Sequence, residues 1–432
     1  MRVLITNIVL AGRTGTEIVT IELAQGLARR GHQVAVFAPF VGPSASILSA
    51  QNIPVTHRLR DLAWKPDVIH GHHSIALVPV LARYLDVPAL FIMHDTTQDL
   101  NCPPSTPQIV RLFAVDEINR EHFAREANID PKRIDLLLNC VDLDRFEPRG
   151  PLPEQPQRAL LLGKNVGHID SVREAARRAG LTLDEIGPIF GRVVDDLNAR
   201  VKDYDIVFAT ARMALEALAV GCAVIVCDGR GLAGMATSDV VDTWRSNNFG
   251  LKLLTRTPTA EALLEQVRRY SPRDAAIVSA RIRELASLSG YIQRVEAVYR
   301  DILANWTCSF DDQRRHGEAL GTFIADWVHR RGYPIVSGDI ARTMVERDAA
   351  LAQRDAALAA RDAILQSRSG LLRQLLSVTL RKLRGNVNRT VAKPERPPNE
   401  ALRTREYLTQ AEVERQMAAA KGNRYGQRDE QS

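Results

Sequence analysis

A carboxylate stands in a helix that is otherwise apolar. In "DIVFATARMALEALAVGCAVIVCDGRG", residues 205–231, two strand-like runs, Asp205 to Thr210 and Cys222 to Asp228, flank a short helix over Met213–Val220. Gly221 is placed to end that helix as its C-cap. Glu216 lies in its middle, and Arg212 precedes it by four residues, so both share one helical face. An ion pair at the protein surface satisfies this spacing. A ligand satisfies it as well, because a carboxylate among Ala, Leu and Met needs partners. Paired ribose hydroxyls are such partners, and a cation at a helix start suits a diphosphate. "DGRGLAG" follows, with Gly229, Arg230 and Gly231 in a loop at the same sheet edge.

Three other stretches carry side chains of chemical interest. In "LAGRTGTEIV" (10–19), Gly12 and Gly15 permit close backbone approach, and free amides at a helix start favour an anion. The stretch is neither GxGxxG nor a P-loop, and a tight strand-to-helix turn explains it equally. In "DVIHGHH" (67–73), His70 and His72 alternate onto one face of a strand end. With His94 and Asp95 of "MHD" they present either a metal site or, the preferred reading, the polar lining of a cleft where open α/β sheets bind ligands. In "LLLGKN", Lys164 follows a strand and Gly163, which aims a cation at a diphosphate in that cleft or leaves an ordinary surface lysine.

The elements that must position these groups alternate regularly. "RVLITNIV", "QVAVFAP", "PDVIHGHH" and "PALFIMHD" read as strands, separated by "TEIVTIELAQGLARRGH" and "SIALVPVLARYLD" as helices. That rhythm implies right-handed βαβ units and a parallel sheet. "EPRGPLPEQPQ", with its prolines, reads as a linker, after which the rhythm restarts at "RALLLGKN". The expected division is a first α/β domain over 1–147, a linker over 148–158 and a second α/β domain over 159–305. A helical segment over 306–340, a heptad helix over 341–366, a basic amphipathic helix over 367–390 and a disordered tail over 391–432 follow.

The heptad repeat "ERDAALAQRDAALAARDAILQ" places Val345, Ala349, Ala352, Ala356, Ala359 and Ala363 on a narrow seam, beside Leu351, Leu358 and Leu365. A homodimer contact through 345–366, or packing on the chain's own surface, fits that pattern. Of 432 residues, 57 are Lys or Arg and 51 Asp or Glu, but the excess is local. No acid lies between Asp362 and Glu395, while seven cations do, and Leu372, Leu375, Leu376 and Leu383 share one side. This predicts an anionic membrane surface as the partner of 366–393. With no aromatic residue for stacking and no docking motif, nucleic acid is not expected. The five cysteines form no CxxC and are expected as free thiols. No run of eighteen apolar residues occurs, and the expected location is cytoplasmic, peripheral at the membrane.

The order of "GRTGTEIVTIELAQGLARRGHQVAVFAP", "PDVIHGHH", "LFIMHD", "NCVDLDRF", "LLLGKN" and "LEALAVGCAVIVCD" resembles that of family-4-type glycosyltransferases with the GT-B fold, over residues 1 to about 305. The resemblance implies two Rossmann-like domains facing a cleft. It also implies transfer of a sugar from a nucleotide-sugar donor to a glycan or lipid-linked acceptor of the cell envelope. Retention of configuration and neither metal nor cofactor belong to the same expectation. It assigns Glu216 to the ribose, Lys164 to the donor diphosphate, Gly12 to Gly15 to the donor phosphates and acceptor, and His94 to the sugar. Lys164 and Arg212 would neutralise the leaving diphosphate. Two departures stand out. Phe208 occupies the place, eight before Glu216, where the family carries a second acid, and "NVGHID" replaces its second lysine. A non-catalytic scaffold recruited to a membrane is therefore the alternative, with a sugar-nucleotide epimerase behind it.

Overall fold

Near-continuous apolar runs make the strands, because a parallel sheet covered by helices buries both of its faces. The structure, a computed structural model, describes residues 1–331 and 349–358 except Arg13, Thr97, Gln98, Lys164, Val193 and Asp195. The first domain contains β1 (Arg2–Thr6), β2 (Val9–Leu10), α1 (Gly15–Arg29), β3 (Gln33–Phe37), β4 (Phe40–Val41), α2 (Ser46–Ser49) and β5 (Val55–Thr56). It continues with β6 (Val68–His72), α3 (Ser74–Arg83), β7 (Ala89–Met93), β8 (Ile109–Ala114), α4 (Glu117–Glu126) and β9 (Ile134–Leu136). Seven strands pair in the order β5-β3-β1-β6-β7-β8-β9, all parallel, and β2 and β4 form a separate ribbon. The order reverses between β1 and β6, so a crevice opens at their carboxyl ends.

The second domain holds β10 (Arg158–Leu162), α5 (Ile169–Arg178), β11 (Thr182–Ile186), α6 (Leu197–Arg200), β12 (Ile206–Ala209), α7 (Ala211–Val220), β13 (Ala223–Asp228), β14 (Gly231–Met235), α8 (Val241–Arg245), α9 (Ala260–Val267) and α10 (Pro272–Leu285). Its five strands run β11-β10-β12-β13-β14, with β14 antiparallel to β13, and the order reverses between β10 and β12. The linker is tied to this domain through buried Asp205, whose carboxylate accepts the amides of Gln157 (2.8 Å) and Arg158 (3.1 Å) and pairs with Arg149 (3.2 Å).

The helices of residues 260–305 divide their packing between the two domains. Residues 260–305 form three helices, because Ser271 with Pro272 and then Ser287 restart the chain as N-caps. The third, α11 (Leu288–Asn305), places Leu288, Ile292, Val295, Tyr299 and Ile302 in the core of the first domain. Their 4, 3, 4, 3 spacing is the apolar stripe of a helix seeking that surface. Gly26 of α1 admits this contact, since a Cβ there would lie 1.9 Å from Ile292 Cδ1. Glu296, buried beneath, pairs with Arg30 and His32 at the end of α1 (2.7 and 2.8 Å), which hold its carboxyl near 2, below its ordinary value. Next, α12 (Phe310–Arg331) also joins the first domain, through Leu320 and Phe323 beside α3.

Residues 349–358 are helical, and Ala349, Leu351, Ala352, Ala356 and Leu358 are exposed along them. The rest of the heptad seam, the basic stretch over 366–393 and the tail over 391–432 lie outside the described residues.

Candidate active site

On the first-domain side, the loop after β1 turns its amides inward, but the chain itself supplies the anion. The Glu17 carboxylate, 1% exposed, accepts the amides of Ala11 and Gly12 (2.7 Å each) and of Thr14 (2.8 Å). An internal carboxylate three residues into α1 thus reaches back and satisfies these amides, which the resemblance assigned to a donor phosphate. Neither glycine is sterically required in this arrangement. A Cβ at Gly12 would meet only the Glu17 carboxylate at 3.5 Å, and one at Gly15 would meet nothing within 4 Å.

The strand ends β6 and β7 bring four imidazoles together. His94 Nε2 lies 2.6 Å from His72 Nδ1, the His70 and His72 rings are 4.8 Å apart, and His70 Nδ1 lies 2.6 Å from the buried Tyr299 hydroxyl. His73 stands at the N-cap position of α3 with a positive φ of 58°, its ring tilted at 6.3 Å from that of His94. Burial holds the group neutral. It pushes His70 and His94 to about 3 and His73 to about 4, with Asp95 and Glu17 partly opposing it at His73, and pushes His72 well below its ordinary value. Among the described residues no set of three or more His, Cys, Asp or Glu is arranged to hold a metal ion. The histidines form a chain running from the cleft to α11.

On the second-domain side, Gly163 lets the loop after β11 lie close. A Cβ there would sit 2.7 Å from Ile189 Cδ1 and 2.9 Å from the Phe190 ring. Lys164 itself is outside the described residues. Gly229 donates its amide to Asn165 Oδ1 (2.6 Å), and a Cβ at Gly231 would lie 2.6 Å from Leu254 O, so both glycines serve the close approach of backbone. Arg230 pairs with Asp228 through Nε (3.1 and 3.2 Å), with Asp95 of the first domain acting on it electrostatically. His168, in the segment that replaces the family's second lysine, was not singled out from the sequence. It is 1% exposed, neither ring nitrogen has a partner, and burial lowers its affinity for a proton, while Asp228 works the other way.

The opening helix, α7, starts at Ala211, two residues before the sequence suggests, and ends at Gly221 with φ 104°. Arg212 is therefore in its first turn. Its Nε donates to Glu216 Oε1 (2.8 Å) and its Nη2 to both Glu22 oxygens (2.6 Å each). Glu22 belongs to α1, so this triad spans the two domains at the cleft. All three side chains are 9–10% exposed, and Arg212 Nη1 is buried without a partner. Burial outweighs Arg212 at Glu22 and raises its proton affinity, whereas the two acids hold Arg212 firmly charged despite its own burial. The cation at this helix start is met by two carboxylates, one of them its i, i+4 neighbour Glu216, and its remaining donor Nη1 is buried.

Forming the early start costs backbone strain at Ala211, whose φ is 51°. A left-handed conformation costs an L-residue about 1–2 kcal/mol and a glycine almost nothing. Ala211→Gly is accordingly expected to leave stability unchanged or raise it by up to about 1 kcal/mol, although the same change inside an ordinary helix costs about that much. Urea unfolding checks this, and a loss of stability would show that the turn is unstrained.

Residues 13–145 match glycosyltransferase family 4. A glycosyltransferase from Rickettsia africae superimposes with a TM-score of 0.53 at 16% identity, covering 70% of this chain and 99% of its own. Anabaena Alr3699/HepE, solved with UDP and glucose, superimposes with a TM-score of 0.50 at 14% identity, covering 69% of this chain and 99% of its own. A search of curated proteins finds no match. The doubly wound pair of domains is the GT-B fold, and no described helix is long and apolar enough to cross a membrane. Residues 13–145 are thus similar to glycosyltransferase family 4, and the paired domains have the GT-B fold.

Proposed function

We propose that the chain moves a sugar from a nucleoside-diphosphate sugar to a glycan or lipid-linked acceptor of the cell envelope, with retention of configuration and without a metal. The observation that carries this reading is Glu216. It is a carboxylate at the carboxyl edge of the second sheet, beside the reversal of strand order, pre-oriented by Arg212 and facing the first domain. That is where such sheets take ligands, and ribose hydroxyls complete its hydrogen bonding. Arg212 Nη1, Lys164 and the start of α7 would share the charge of the departing diphosphate. His94, neutral in this cleft, can donate or accept a hydrogen bond to a sugar hydroxyl without adding charge. Uridine diphosphate, which the Anabaena protein holds, is the first nucleotide to try. Membrane attachment through 366–393 and pairing through 345–366 extend the same reading: the exposed alanine and leucine stripes over 349–358 suit a second copy, and a lipid-linked acceptor makes membrane proximity useful.

The test is a panel of nucleoside diphosphates read by thermal shift and calorimetry. Glu216→Ala is expected to weaken the nucleotide that binds roughly 10- to 100-fold, the worth of hydrogen bonds to a charged group. Folding should be affected less, since Arg212 keeps Glu22 as its counter-ion. Equal affinity in parent and variant would remove Glu216 from the ribose. A second reading, a binding protein with the fold of a transferase, is favoured by one pair of observations: Glu17 fills the first-domain amides and two acids hold Arg212. Absence of both nucleotide binding and turnover would select it.

A further inference from the structure

The chain crosses between the domains twice, and the two crossings are stitched together. Val141 donates its amide to Ala286 O (2.7 Å) and receives that of Leu288 on its own carbonyl (2.8 Å). Beside them lies a cavity of about 110 Å³, lined from the first crossing by Asn139 and Cys140, from the second by Ser287 and Tyr291, and by Arg245 and Arg294. At about 10–15 Å³ per water-sized volume it holds several waters. It is well below the ~300 Å³ from which ligand pockets for drug-sized molecules begin. A nucleotide does not fit; a small ion does.

No carboxylate lines this cavity, and the nearest acids, Glu22 and Asp142, act on its Cys140 from beyond the wall. Arg245, 6% exposed, donates Nη1 to Asn248 Oδ1 (2.5 Å) and Nη2 to the carbonyl of Asn139, and its buried Nε has no partner. Every hydrogen bond it makes is to a neutral group. The charged or ionisable groups acting on it are the Cys140 thiol and the Arg294 guanidinium, and burial pushes its own pKa down to about 10. Burying a guanidinium without a carboxylate is costly, and a second guanidinium nearby adds to that cost. Asn248 in turn accepts the Asn139 amide (3.2 Å) and donates to Val115 O, so Arg245 sits at the knot that joins the second domain to the strand ends of the first. Exposed Arg294 stands on α11, which belongs to the first-domain core.

We propose that this cavity binds a small oxyanion of the phosphate class between Arg245 and Arg294, and that the bound anion fastens the two interdomain crossings to each other. Two guanidiniums with no intervening carboxylate match the tetrahedral oxygens of such an ion, and Arg is suited to that geometry. Ser287 and Tyr291 add hydroxyls at the wall. Because the ligand would touch both crossings, its occupancy would stiffen the region about which the domains rotate, independently of what the cleft binds.

Inorganic phosphate is the probe, added to the full chain and compared with chloride at equal ionic strength. The parent is expected to gain thermal stability with phosphate in a saturable manner. Hydrogen exchange at the amides of Val141 and Leu288 is expected to slow over the same concentrations. Arg294→Glu, at an exposed position whose side chain holds nothing in place, should fold normally and bind phosphate at least about tenfold more weakly. It should bind nucleoside diphosphates as the parent does, which separates this site from the cleft. Arg245→Gln should weaken phosphate likewise, but Arg294→Glu decides if that variant fails to fold. A phosphate response equal to that of chloride, or one retained in full by Arg294→Glu, would overturn the proposal.

Discussion

Lowering the pH from 7 to 5 is expected to remove several kcal/mol of stability, through His70, His72, His73 and His94. Burial depresses all four, to about 3 for His70 and His94, to about 4 for His73, and well below the ordinary value for His72. In the unfolded chain each titrates near 6.5. Between these limits the unfolded state binds more protons than the folded one, so stability rises with pH. The contribution is complete above about pH 6.5 and is lost as pH falls through the window toward 4 and 3. Each histidine contributes about 1.4 kcal/mol per pH unit, and four of them at pH 5 reach the scale of the ~5–15 kcal/mol that holds a domain folded. The groups facing the cluster do not rescue it. Tyr299 is neutral, and Asp95 and Glu17 act on His73 without overcoming its burial. Urea midpoints at pH 5, 6, 7 and 8 should therefore fall steeply below 6.5 and be flatter above it. His73→Asn, which places a residue tolerant of a positive φ there, should make the fall shallower by about a quarter. A midpoint constant from pH 7 to 5 would mean that water or a counter-charge reaches these rings.

Arg212→Ala should cost about 3–5 kcal/mol, the usual consequence of removing one member of a buried ionic group. Glu22 and Glu216 would be left facing each other, each about nine-tenths buried, and the repulsion that Glu216 already exerts on Glu22 would lose its offset. Adding Glu22→Gln and Glu216→Gln to this variant should restore most of the loss, because neutral amides remove the like charges. Glu22→Gln alone has a different consequence. It weakens one bond between the domains and takes away one of the two charges that neutralise Arg212, so nucleoside diphosphate should bind several-fold more tightly. Denaturant unfolding and calorimetry on the four proteins resolve these effects. A cost below about 1 kcal/mol for Arg212→Ala would show that the triad is wet and adds little.

What the sequence determined by itself was local. Alternation of apolar runs with helical periods set the parallel strands of both sheets and the strand–helix–strand unit around Glu216, because strand burial, helix faces and a glycine cap are written over a few adjacent residues. The four-residue spacing likewise set the Arg212–Glu216 pair. Tertiary structure decided whom these groups meet. Glu22, 190 residues from Arg212, reaches it only because the first and second domains dock across the cleft, and no local period encodes that. Sheet order similarly set His72 within hydrogen-bond reach of His94 and His70 against Tyr299, 229 residues away. The stripe of α11 was legible, but not the domain it would cover, since either core offers an apolar face and only the path of the crossing at Val141 and Ser287 directs the helix to the first. Glu17 lay three residues beyond Thr14, the spacing of a capping box, yet a ligand anion and a side-chain carboxylate compete for the same amides. The side chain wins in the fold because it is already tethered there.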